Sequence, residues 1–108
     1  MYKVKFSKIA TQDLNDAFSY ISEVLKNPVA AENLVLETER KTKAIQEFPY
    51  SCSLVSDKYL RQLEIRFLLV NNYVGFFQID ELRKEISIVR LLYGRREWKE
   101  ILKESKER

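Results

Sequence analysis

Tyr2, Val4 and Phe6 are apolar and alternate with Lys3 and Lys5, a period of two that predicts a half-buried strand. Ser7 follows as a helix cap, and the spacing changes to three and four. Ile9, Ala10, Leu14, Ala17, Phe18, Ile21, Val24 and Leu25 predict a helix from about residue 8 to 26. Asn27-Pro28 breaks the run, a cap residue followed by proline at the first helical position. Ala31, Leu34, Val35, Thr38, Ile45 and Phe48 then predict a second helix over about 28–48, stopped by Pro49. Helices joined this closely form an antiparallel hairpin, and its apolar seam must cover a sheet.

Residues 49–58 read as a loop, and 59–64 as an irregular approach to a strand marked by Ile65 and Phe67 to Val70. Asn71-Asn72 suits a two-residue hairpin turn, since Asn tolerates positive φ. Tyr73 to Asp80 is the next strand, with a bulge or close approach expected at Gly75. A charged turn leads to the last strand, Ile86 to Tyr93. Beyond Gly94, Trp98, Ile101 and Leu102 share one face of a short tail helix. The expected fold class is α+β. It is β-α-α-β-β-β with a helical hairpin packed on an antiparallel sheet, a short C-terminal helix and the other sheet face free for function. Residues 1–108 are expected to form a single domain.

The chain has no histidine, which excludes imidazole bases, His-based triads and His metal sites. Its one cysteine, Cys52, rules out a disulfide within the chain and reads as incidental. No metal and no cofactor are expected. No run approaches the roughly 20 apolar residues of a membrane span, and the N-terminus lacks a secretory core. The expected location is the cytoplasm, without membrane contact. The net charge of +3 is uneven: residues 27–57 carry −2, while 58–93 and 94–108 carry +2 each. A basic sheet-and-tail half suits nucleic acid or an acidic protein partner.

Phe6-Ser7, Ala10, Asp13-Leu14 and Ile21 open the chain, and Phe48-Pro49 ends its second helix. Arg66 precedes the hairpin, Tyr73 opens the next strand, and Gly94-Arg95-Arg96-Glu97-Trp98 follows the last. In order and spacing these residues resemble the RelE/ParE family of toxins from type II toxin–antitoxin systems. The resemblance implies a small toxin held by a cognate antitoxin, with which it forms an oligomer. It also implies one of two activities: RelE-like members cut mRNA on the ribosome, and ParE-like members poison DNA gyrase. The lysines and arginine of RelE-type enzymes correspond here to Ile65, Phe67 and Val74, and their C-terminal tyrosine to Leu102. The Gly-Arg-Arg-Glu-Trp ending resembles the ParE branch, so gyrase is the favoured target and the ribosome with mRNA the alternative. A degenerate, non-toxic binding module is a third reading.

Candidate residues follow from these readings. If the chain were a metal-independent nuclease, Arg66, Arg90 and Arg96 would have to converge as phosphate and transition-state contacts. Target binding is expected of Tyr93, Arg95, Arg96 and Trp98. Each has a bland counterpart. Arg95 and Arg96 suit solvated pairing with Glu97 or Glu100, and Trp98 suits anchoring of the tail helix. Arg90 shares the side of Ile86, Ile88 and Leu92 in a regular strand, so it must pair, snorkel at the sheet end or face the open side. Tyr73 and Tyr93 suit packing with exposed hydroxyls. Glu64 suits a salt bridge.

Overall fold

Ser7 turns the chain from strand to helix. It ends β1 (Lys3–Phe6) in an extended conformation, and its Oγ accepts the Ala10 N–H at 2.9 Å to cap α1 (Lys8–Ser19). The computed structural model describes residues 1–107, with side chains through Glu104. The helix expected to about 26 is α-helical only to Ser19; Tyr20–Val24 form a π-helical turn. Leu25 N–H reaches back to the Tyr20 carbonyl, and Lys26 leaves the helix at φ 55°. The wider turn shifts the helical phase and presents Tyr20 and Leu25 outward while Ile21 still packs on the core. Asn27 then caps α2 (Pro28–Glu47), accepting the Ala30 N–H.

The hairpin of α1 and α2 crosses one face of a four-stranded sheet. Its other strands are β2 (Arg66–Val70), β3 (Tyr73–Asp80) and β4 (Glu85–Tyr93), in the order β1-β4-β3-β2. Asn71 makes the β2–β3 turn at φ 55°. The expectation of an antiparallel sheet is met for the meander alone, because β1 pairs with β4 in parallel, from Lys3 beside Glu85 to Phe6 beside Ile88. The hairpin carries the chain to the far edge, and three antiparallel strands bring β4 back beside β1.

The second face is not free, contrary to expectation. Asp57 caps a one-turn helix, α3 (Lys58–Gln62), where the sequence reads as loop and irregular approach. A helix this short is below one heptad and leaves no periodic signal. Leu60 of α3, Val55, Ile65, Phe76, Leu92 and Leu102 are all buried and form a core beneath α4 (Trp98–Glu107). The hairpin side holds the other core, with Ala10, Ala17, Leu34, Ile45, Leu68, Phe77, Ile86, Ile88 and Leu91. Lys103 of α4 pairs with Asp57 at 3.4 Å and ties the two covering helices together.

The bulge expected at Gly75 lies one step further on. Phe76 faces Arg90 and Phe77 faces Ile88, so β4 carries an extra residue, Val89. Gly75 is instead a close approach, where a Cβ would touch the Leu68 side chain at 3.5 Å. The bulge inverts the pleat. Ile86 and Ile88 point to the hairpin core, but Leu92 points to the other, so Arg90 does not share the side of Ile86 and Ile88.

The ends of three segments meet at Glu81. Its carboxylate accepts hydrogen bonds from the Tyr2 hydroxyl at 2.7 Å, the Tyr50 hydroxyl at 2.8 Å and Lys84 Nζ. These donors, Lys84 foremost, hold the Glu81 carboxyl down at about 2 against an ordinary 4.5. The folded value lies below the unfolded one. The contribution is therefore complete above about pH 4.5 and is lost as pH falls from there through about 2. Glu81→Gln is expected to lower the urea midpoint near neutral pH and to converge with the parent as pH falls towards 2, which flattens the acid limb of stability in that window. Urea titrations from pH 2 to 7 check this.

Candidate functional site

Where β4 ends, Gly94 N–H donates to the Asn72 carbonyl at 2.9 Å, and a Cβ on Gly94 would stand 3.2 Å from that oxygen. Glycine thus lets the chain leave the sheet directly against the β2–β3 turn. Arg96 N–H then bonds the Tyr93 carbonyl, and Trp98 N–H the Arg96 carbonyl, before α4 begins. This tight passage sets Arg96 on the wall of a hollow of about 700 Å³. Tyr20, Leu25, Asn27, Tyr73 and Tyr93 also line it, between the hairpin tip and the sheet end.

Tyr73 and Tyr93 meet edge to face with ring centroids 5.6 Å apart. Burial, then the neighbouring Tyr93 and Tyr20, push the Tyr73 hydroxyl above its ordinary value. It stays protonated at neutral pH, which suits a hydrogen-bond donor rather than a base. The floor of the hollow is aromatic, Arg96 supplies positive charge, and the rim carries exposed apolar side chains. Of its lining residues Tyr20 and Leu25 are each more than half exposed. Such a surface suits a protein partner that brings apolar anchors and negative charge.

The three arginines of the nuclease expectation are held by three different sets of neighbours. Arg66, on the β2 edge, donates to the Cys52 carbonyl at 2.6 Å and lies over the Tyr50 ring at 4.9 Å. Arg90 is bound by Asp13 of α1, with Nε at 2.8 Å and Nη2 at 2.9 Å from its carboxylate. Arg96 alone reaches the hollow, beside Tyr93. Arg95 is exposed next to it. Trp98 lies on the opposite face, against the Phe76 ring at 5.3 Å, as an anchor of α4. Burial raises the Cys52 thiol above its ordinary value, which disfavours a nucleophilic thiolate. Glu64 turns a corner at φ 56° and makes no ion pair among the described residues.

Sequence reasoning missed Asp13, Tyr20, Leu25 and Asn27 as site or support residues. Asp13 had a signal: it follows Ala10 by three on the buried stripe of the first helix, where a lone carboxylate needs a partner. The hairpin-tip residues had none, because the π turn that sets their direction is not written in the spacing.

The fold is thus a two-helix hairpin on a β1-β4-β3-β2 sheet, with a Gly-Arg-Arg exit beside it. The family model of the ParE toxin of type II toxin–antitoxin systems, parDE, matches residues 4–98, and the chain belongs to that family. Its fold is similar to that of a chain in the chromosomal ParDE toxin–antitoxin system from P. aeruginosa. The TM-score is 0.68 at 21% identity, over 86% of this chain and 96% of that one. No curated protein matches the sequence. Among the described residues no helix is long and apolar enough to cross a membrane.

Proposed function

We propose that this ParE-family toxin acts in the cytoplasm on DNA gyrase, stalling it on cleaved DNA without chemistry of its own, and that a cognate antitoxin restrains it. The observation that carries the reading is the separation of the arginines. Stabilising a phosphorane needs several preorganised cations around one phosphate, yet Arg66 and Arg90 are engaged with Cys52 and Asp13 at other places on the fold. What remains is the aromatic hollow with Arg96 and Arg95, a surface for binding. Its residues Tyr93 and Arg96 are of the types that dominate interface energetics.

Induction of the chain in growing bacteria, with parallel pulses for protein and DNA synthesis, tests the reading. Early arrest of DNA synthesis with filamentation is expected. Rapid loss of methionine incorporation with DNA synthesis intact would instead establish the mRNA nuclease. Normal growth with soluble protein would establish a non-toxic binding module. Arg96→Ala combined with Tyr93→Ala is expected to weaken gyrase binding by about 2 kcal/mol, roughly thirtyfold. Surface plasmon resonance on the gyrase subunits reads that loss.

A further inference from the structure

Val24 and Leu25 follow Ile21 by three and four positions, so an α-helix continued to Leu25 would set all three on one face. Ile21 packs on the hairpin core. Val24 and Leu25 do not follow it inward: they are 63% and 54% exposed. The π-helical turn is the cause, because its bond from the Leu25 N–H to the Tyr20 carbonyl closes one residue further back than an α-helical bond. Val29, in the first turn of α2, is 67% exposed, and Tyr20 is more than half exposed. The hairpin tip thus holds four outward apolar side chains. Two of them, Tyr20 and Leu25, also line the hollow beside Arg96.

The tip is braced by its own backbone. The Asn27 N–H is bonded to the Ile21 carbonyl at 3.0 Å, and Asn27 Oδ1 accepts the Ala30 N–H at 3.1 Å to start α2. Pro28 fixes the next φ. Apolar side chains presented by a braced turn lose little freedom on binding, which suits them as anchors. Charge narrows what can cover them. Lys26 at the tip and Arg95 and Arg96 at the sheet exit make no ion pair among the described residues. They outnumber Glu23 and Glu97 beside them. A second copy would bring the same cations to the contact, whereas an apolar groove bordered by carboxylates meets both the side chains and the charge. Tyr20 and Leu25 make the tip continuous with the hollow, so one partner covers both.

We propose that the hairpin tip is a preset apolar wedge, with Val24, Leu25 and Val29 as anchors that enter an acid-bordered groove of a gyrase subunit while Arg96 lies against its rim. The proposal rests on the gyrase reading above and adds to it the anchoring residues and the chemistry of the groove that receives them.

The test uses the full chain and its binding kinetics on immobilised gyrase subunits. Val24→Ser combined with Val29→Ser is expected to dissociate about tenfold faster, with an unchanged association rate. The urea midpoint should not move, since both side chains already face water. The loss is expected to be the same at low and high salt, as apolar anchors require. Leu36→Ser, which removes a 61% exposed leucine farther along α2, is expected to leave dissociation unchanged. A tip variant that dissociates like its parent overturns the wedge and leaves the gyrase reading standing. An equal loss in Leu36→Ser also overturns it, because the effect then does not belong to the tip. Faster dissociation from the antitoxin alone, supplied as the product of the short reading frame adjoining the gene, overturns it and assigns the tip to that partner. A parent chain that binds no gyrase subunit overturns the gyrase reading, and the wedge falls with it.

Discussion

Asp13→Ala is expected to destabilise the protein by about 3–5 kcal/mol, the range for removing one partner of a buried ion pair. One Asp13 carboxylate takes the Arg90 Nε at 2.8 Å, the Arg90 Nη2 at 2.9 Å and the Leu91 N–H at 2.9 Å. The two side chains are only 12% and 14% exposed. Beside them Ser7 binds the bulge itself, its N–H to the Ile88 carbonyl and its hydroxyl to the Val89 carbonyl at 3.0 Å. The first turns of α1 thus hold β4 just past the end of β1, where the strand would otherwise lose its neighbour. Removing the carboxylate takes both Asp13 hydrogen bonds from a nearly buried guanidinium and the acceptor from the Leu91 N–H. Urea unfolding checks the loss. A double variant, Asp13→Leu with Arg90→Met, should cost less than the sum of the single changes, because neither charge is then stranded. A stability within 0.5 kcal/mol of the parent for Asp13→Ala would show that the pair does not hold the bulge. Arg90 therefore serves the fold, and loss of toxicity in its variants is expected to follow the loss of folded protein.

Most of the architecture was legible because it rests on periodic burial. Ser7, Asn27-Pro28, Pro49 and Asn71 punctuate the chain where the structure turns, and long apolar repeats lie between them. What was not legible depends on pairing across long separations. Nothing in Lys3–Phe6 says whether it runs parallel or antiparallel to a strand 82 residues further on; that follows from which edge the hairpin delivers the chain to. The Val89 bulge is equally silent, since an extra residue in an apolar strand leaves the composition unchanged. Yet it decides the direction of Arg90, and with it whether three arginines can converge. The exit from β4 was legible in part. Gly94-Arg95-Arg96 marks a glycine-enabled turn with charge beside it, but the wall opposite comes from Tyr20 and Leu25, roughly 70 residues earlier.

Leu102→Ala is expected to cost about 2–4 kcal/mol, within the range for removing a fully buried leucine. Leu102 has no exposed surface and sits among Leu60, Phe76 and Leu92 beneath α4. α4 lies outside the strand ladder, so its cavity need not unfold the sheet. Local undocking of α4 is the cheaper response, leaving Trp98 and Lys103 without their contacts to Phe76 and Asp57. Amide protection should therefore fall in 98–104 more than in β3 or β4, and the uncovered Phe76 face should bind a hydrophobic dye. The functional consequence separates this change from a general loss of stability. Arg95 and Arg96 span the short passage between the Gly94 anchor and the start of α4. Once the far end is loose, Arg96 is no longer held beside Tyr93. On the gyrase reading proposed above, affinity per folded molecule is then expected to drop about tenfold, even at temperatures where the sheet remains folded. Unchanged affinity per folded molecule would mean that the Gly94–Asn72 hydrogen bond alone suffices to orient the arginines.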